Sequence, residues 1–232
     1  MSLPASPAPP FFGWHVVAAT FLLAAFGWGT GFYGPPVFLY AVVARTGWPV
    51  PMVSAAVTVH FLTGAVVVAN LPQLYRRFGV PVVTVLGAVL LALGIAGWAL
   101  AAEFWQLFAA ALASGAGWVA MGAAAVNALI APWFILHRPA ALGMAHNGAS
   151  LGGVIFSPPW IALIAGIGFL PAALAVGGVM VAVVATLPVL VFRHTPESMG
   201  QSPDGVEGGD PRPRAPQGSR GSPRSRRPAS CR

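Results

Sequence analysis

The chain has 232 residues, of which 57% are hydrophobic and 7% charged. A water-soluble domain carries about 25% charged residues, so this composition excludes one and describes an integral membrane protein. The net charge is +7, but most of the excess sits beyond residue 210, which argues against a folded nucleic-acid-binding surface. The single Cys231 excludes an internal disulfide and any cysteine metal site, and no cofactor is implied. The basic residues are all Arg, alongside heavy use of Ala, Gly, Pro and Val, as in proteins from GC-rich, bacterial genomes.

Residues 1–11 are rich in Pro, Ala and Ser and are expected to be disordered. They lack the basic region of a cleavable signal peptide, so targeting is expected to fall to the first span. An apolar run starts at Phe12 and meets no formal charge until Arg45. A membrane crossing needs about 20 residues, so this run is overlong. Gly34-Pro35-Pro36 interrupts it near the far end, because each proline removes a backbone donor. The expectation is one long kinked helix over 12–43.

Five more spans follow, at about 51–71, 82–102, 105–131, 140–163 and 171–192. Pro72 to Gly79 reads as a basic turn between the second and third. The fifth is crowded with small residues. Gly148 and Gly152 are four apart, as are Ala149 and Gly153, a spacing that places each pair on one face and lets two backbones approach closely. Trp14, Trp48, Trp105 and Trp133 lie near span ends and read as interfacial anchors. Residues 193–232 are expected to be a disordered cytoplasmic tail, since the Pro, Arg, Ser and Gly of 210–232 cannot bury enough surface to order themselves.

Six spans put both termini on one side. Arg76, Arg77, Arg138 and Arg193 fall on that side, against Arg45 alone on the other. The positive-inside rule makes the terminal side cytoplasmic.

No Asp, Glu, Lys or Arg lies inside a span, which leaves His60 and His146 as the obvious candidates to carry a proton. An intramembrane polar residue is a functional hypothesis by default. The alternative is a neutral ring bonded to a neighbouring backbone or hydroxyl. Thr30, Tyr33 and Tyr40 have spacings that share one face of span one. Trp118 and Asn127 are the conspicuous groups on span four. An intramembrane protease of the six-span, rhomboid type needs Gly-x-Ser-Gly and a later histidine within a span. Ser150 is followed by Leu151, and His194 lies beyond span six, so no enzyme is expected.

Trp133-Phe134, the basic pair His137-Arg138 and the glycine-rich run to Gly153 resemble the loop between helices four and five of the major facilitator superfamily (MFS). The closer likeness is to its branch of monocarboxylate transporters and oxalate/formate exchangers. Gly47-Trp48 and Pro196-Glu197 followed by Pro203-Asp204-Gly205 resemble further segments of that branch. Arg77, Phe78 and Gly79 match the end of the superfamily's signature between helices two and three, but Arg76 stands where it has aspartate. The resemblance implies an all-α fold of six transmembrane helices, one amino-terminal MFS half built as two inverted three-helix repeats. It implies secondary transport of a small solute, a mono- or dicarboxylate, by alternating access. It places Thr30, Tyr33, His60, Trp118 and Asn127 toward a substrate cavity, and Arg76, Arg77, Gly79 and Arg138 in cytoplasmic gating loops. Gly148, Ala149, Gly152 and Gly153 become helix-packing residues. The implied partners are an organic anion, the lipid bilayer and a second six-helix half or a homodimer. A full transporter continues for six more helices, so the chain is expected to be a half truncated near residue 210. A subunit that is inactive without a second half is the alternative.

Overall fold

The computed structural model describes residues 10–205. Of the segments expected to be disordered, 1–9 and 206–232 lie outside that range, whereas Pro10 and Phe11, expected to be disordered with them, are held by Gln201 and by Trp133 and Phe134. Eight α-helices form six lengths apolar enough to cross a membrane, and no strand occurs among the described residues. The protein is therefore an all-α, multi-pass membrane protein.

Span one comprises α1 (Gly13–Gly31) and α2 (Gly34–Thr46). Span two is α3 (Val50–Phe78) and span three is α4 (Val80–Leu100). Span four comprises α5 (Phe104–Val119) and α6 (Ala123–Ile130). Span five is α7 (Arg138–Ile167), and span six is α8 (Phe169–Leu187), which widens into a π turn at Pro188–Phe192.

Glycine sets the spacing of these helices. Apolar side chains gain nothing by leaving lipid, so helices associate through contact, and contact is closest where a side chain is missing. The most extensive pairing joins α1 to α7. A Cβ on Gly148 would strike the carbonyl oxygen of Phe21, and one on Gly152 that of Ala25. Gly153 faces the Tyr33 ring instead, and nothing stands within 4 Å of the position a Gly143 Cβ would take. On the other side of the bundle α4 packs on α5 by the same device, with Gly94 against Ser114 and Gly97 against Ala110.

Several expectations change. Span one is two helices, and Pro35 and Pro36 lie in the first turn of α2 instead of near the end of a single helix. Proline is accepted there because first-turn N–H groups have no partner in their own helix. Span four, expected to be continuous, breaks at Ala120–Gly122. The turn expected over 72–79 is helix as far as Phe78. Leu71, Val83 and Ala120 form a buried cluster against which Tyr75 packs, and this packing carries the helix through Pro72. Gly79 ends it at φ +80°, in the region glycine adopts without strain. Trp133 is no interfacial anchor: it is buried against Phe11 and Phe12.

The largest correction concerns 193–205, expected to be disordered. This segment returns across the terminus-bearing end of the bundle in two short 3₁₀ turns. There the Asp204 carboxylate receives three backbone N–H groups. Oδ2 accepts from Ile135 at 3.0 Å and Leu136 at 2.7 Å, and Oδ1 from His137 at 3.1 Å. The His137 imidazole lies 3.3 Å from Oδ1, and the Asp204 N–H bonds the Trp133 carbonyl at 2.9 Å. These donors sit just ahead of α7, whose positive dipole end also favours a carboxylate. Sequence composition predicted order only where apolar periodicity exists, whereas here one polar side chain supplies it.

Two tests follow from this packing. Gly148→Leu and Gly152→Leu each drive a side chain into the backbone of α1 and should destabilise the fold by about 1–3 kcal/mol or more. Gly143→Leu meets open space and should change little. Thermal unfolding in detergent separates the three variants. The second test concerns acid. Desolvation raises the Asp204 carboxyl, but the hydrogen bonds from Leu136, His137 and Ile135 and from the His137 side chain lower it further, and its net position is below the usual carboxylate value. A depressed folded value means that the stabilisation is present above the ordinary carboxylate range, about pH 4, and lost as pH falls through the folded value beneath it. Unfolding midpoints should therefore hold steady from neutral pH down to about 5 and fall below about 4 in the wild type. The part of that fall due to this group should be missing in Asp204→Asn.

Candidate functional site

The two interrupted spans meet at the middle of the bundle. A Cβ on Gly27 would lie 3.2 Å from the Met121 Cβ, and one on Gly31 would run into the Trp118 Cβ. Gly31 ends α1, and Trp118 and Met121 border the gap between α5 and α6. The break in span one thus lies against the break in span four.

Each break releases backbone carbonyls, and α3 supplies side chains to both. Pro35 and Pro36 have no N–H, so the carbonyls of Gly31 and Phe32 lose their helical donors. At the break the Trp28 carbonyl accepts from the N–H groups of both Phe32 and Tyr33, at 3.0 and 2.9 Å. The Gly31 oxygen is met by His60 Nε2 at 2.9 Å. In span four the chain tightens to i→i−3 bonds at Ala120, Met121 and Gly122. The Tyr75 hydroxyl donates to the Ala120 oxygen at 3.4 Å, a longer and weaker contact.

The protonation pattern around His60 follows from its partners. A carbonyl only accepts, so Nε2 carries the hydrogen given to Gly31. With the ring hydrogen on Nε2, Nδ1 accepts from Ser114 Oγ at 2.9 Å, the nearer of the two acceptors in reach of that hydroxyl, the other being the Ala111 carbonyl at 3.2 Å. Ser114 Oγ in turn accepts from Trp98 Nε1 at 3.1 Å. The result is a directed chain, Trp98 to Ser114 to His60 to Gly31, that ties α4, α5, α3 and α1 together. His60, Ser114 and Trp98 are all buried. The Trp118 ring stacks on the His60 ring, with centroids 6.2 Å apart and planes 14° from parallel. Gly115 lets α5 come up to the His60 backbone itself.

The other residues singled out from the sequence occupy different settings. Thr30 is buried and donates to the Phe26 carbonyl of its own helix at 2.5 Å, with Met180 Sδ 3.3 Å away. Tyr33 is exposed beside the break and covers Gly153. Asn127 bonds back to Ala123 on α6 at 2.8 Å. His146 Nδ1 donates to the Leu142 carbonyl at 2.9 Å, and its ring makes a T-shaped pair with the Trp28 ring. Phe32 and Phe61 complete an aromatic group around Trp118. Arg76, Arg77 and Arg138 are exposed at the terminus-bearing end, where Gly79 ends α3. Gly148, Gly152 and Gly153 are buried on α7, and Ala149 is half-buried beside them.

Sequence reading missed Ser114, Trp98, Tyr75 and the break at Ala120–Gly122. Ser114 and Trp98 look like ordinary members of apolar helices. The break has a weak signal in the glycines at 115, 117 and 122, with no proline to mark it.

No protein-family model matches this chain, and no curated protein matches it either.

The hydrogen-bond chain makes a direct prediction. His60→Ala strips a donor from Gly31 and a partner from Ser114 and should lower stability by about 1–2 kcal/mol, the range for polar contacts between membrane helices. Ser114→Ala removes the link to Trp98 and should cost less, because His60 keeps its bond to Gly31. Denaturant titration in mixed micelles checks the order of the two.

Proposed function

We propose that this chain is the amino-terminal six-helix half of an MFS-type secondary transporter that moves a small solute, a mono- or dicarboxylate, by alternating access. The observation that carries the reading is the contact between two interrupted spans at the centre of the bundle. Discontinuous helices beside a repeat interface are where secondary transporters bind solutes. Spans one and four are counterparts if the half consists of two inverted three-helix repeats. The same exchange carries the pairing of spans one and five onto that of spans four and two, both of which occur. The sequence resemblance at Trp133–Gly153 points the same way.

In this reading the aromatic group at Trp28, Phe32, Phe61 and Trp118 borders the solute path, and Tyr33 and His146 flank it. The spans carry formal charge only at their ends, at Arg45, Arg76, Arg77 and Arg138, and none beside the two breaks, so the cation that recognises a carboxylate there comes from a second six-helix half. In the same reading the terminus-bearing end faces the cytoplasm of a bacterial cell and the protein sits in the inner membrane, an orientation that the arginines at that end favour.

Reconstitution tests this. The 232-residue chain alone in liposomes should show no saturable uptake of a panel of mono- and dicarboxylates. Co-expression with a chain supplying six further helices should restore it, and Trp118→Ala should then reduce uptake by about tenfold or more. Tyr40→Ala, on the outer surface, should not. Absence of flux from the assembled pair for every acid tested would defeat the carboxylate assignment. Saturable flux from the purified chain alone would show that the half is a complete transporter.

A further inference from the structure

Asp204 has φ +61° and is the only residue other than glycine with a positive φ among those described. Aspartate tolerates this left-handed conformation better than most residues, but it is still held there by its surroundings. Gly200 and Gly205 bracket it at φ +63° and +70°, so the chain is wound into a tight turn that aims the carboxylate at the loop ahead of α7. The Asp204 side chain is 1% exposed although the loop it binds is open to solvent.

A second side chain of the same segment grips a different element. Gln201 Oε1 accepts from the Phe12 N–H at 3.0 Å, and its Nε2 donates to the Pro10 carbonyl at 3.1 Å. The Gln201 N–H is itself fixed to the Pro196 carbonyl at 2.9 Å. One arm therefore holds the start of α1 and the other the start of α7. Between the arms lies Phe11, edge-on to Phe134 at 5.4 Å and to Trp133 at 6.0 Å. Its ring also lies against Gly205: a Cβ there would be 3.2 Å from it. Neither arm can leave without disturbing Phe11, because that ring touches what each arm holds.

We propose that residues 196–205 form a latch whose two arms, Gln201 on the start of α1 and Asp204 on the loop before α7, close and open together. Closed, the latch joins the terminus-bearing ends of spans one and five into one body. These are the spans with the most extensive mutual packing, so the latch extends their rigid contact beyond the apolar region to its polar end. Open, it frees both ends at once, and the coupling is reciprocal because linked equilibria are.

Amide hydrogen exchange on the full chain in lipid nanodiscs tests the coupling. The amides of Phe12 and of Ile135, Leu136 and His137 should be protected in the wild type. Gln201→Ala, which touches only the α1 arm, should speed exchange at 135–137 as well as at Phe12, by about tenfold or more at both. Asp204→Asn should do the same from the other arm. Amides in the middle of α4 should keep wild-type rates in both variants. If Gln201→Ala frees Phe12 alone, the two arms are independent contacts and the latch is overturned. Unprotected amides at either arm in the wild type, or faster exchange throughout α4 in Gln201→Ala, would also overturn it. Should Asp204→Asn fail to fold, the response of residues 135–137 to Gln201→Ala still decides.

Discussion

The hydrogen bond from His60 to the Gly31 carbonyl is the contact on which the middle of this bundle depends. Two consecutive prolines open the backbone of span one in a region with no water to receive its oxygens. A backbone group left bare in such a place costs several kcal/mol in principle. The fold meets that demand with a side chain from another helix. Once Nε2 is committed to Gly31, Nδ1 must find a donor, and Ser114 is that donor. Ser114 then needs a hydrogen for its own oxygen, which Trp98 gives. One interrupted helix thus dictates a polar residue on each of three others.

The same logic gives α3 its place. It is the helix that reaches both breaks, with His60 at one level and Tyr75 fifteen residues further along. A helix rises about 1.5 Å per residue, so the two residues are about 22 Å apart along α3, and both side chains reach breaks that lie against each other. The helix can serve both only if it lies close against α5, and Gly64 and Gly115 allow that approach. The glycines and the polar chain are two parts of one solution: the first bring backbones near enough for the second to reach.

At the terminus-bearing end water is present and the rules change. Backbone groups there have a solvent alternative, so a segment is ordered only where a side chain competes with water. Asp204 succeeds because one carboxylate gathers three N–H groups that already point the same way ahead of α7. Charge-assisted hydrogen bonds of this kind are about twice as strong as neutral ones. Phe11 packs on Trp133 and Phe134 beside this contact, which is why Trp133 lies inside the protein instead of in the interface.

The amino-acid sequence by itself determined the class of protein and the number of its spans, since an apolar run of membrane length has no other stable use. It also marked Gly148 and Gly152 as a close contact, because the spacing of four on a helix is a local property. His60 was legible as a residue requiring an explanation, and the hydrogen-bonded reading weighed for it is the one the geometry displays. What the sequence did not contain was the identity of its partners. Gly31, Ser114 and Trp98 lie 29, 54 and 38 positions from His60, and nothing in local pattern relates them. The interruption at Ala120–Gly122 and the order of 196–205 were hidden for a similar reason. Each depends on what packs against the segment, Tyr75 and Leu71 in one case and the loop before α7 in the other. Periodicity reports the face a helix turns toward its neighbours. Only the tertiary structure decides which neighbour stands there, and so which backbone groups can be left without a helical partner.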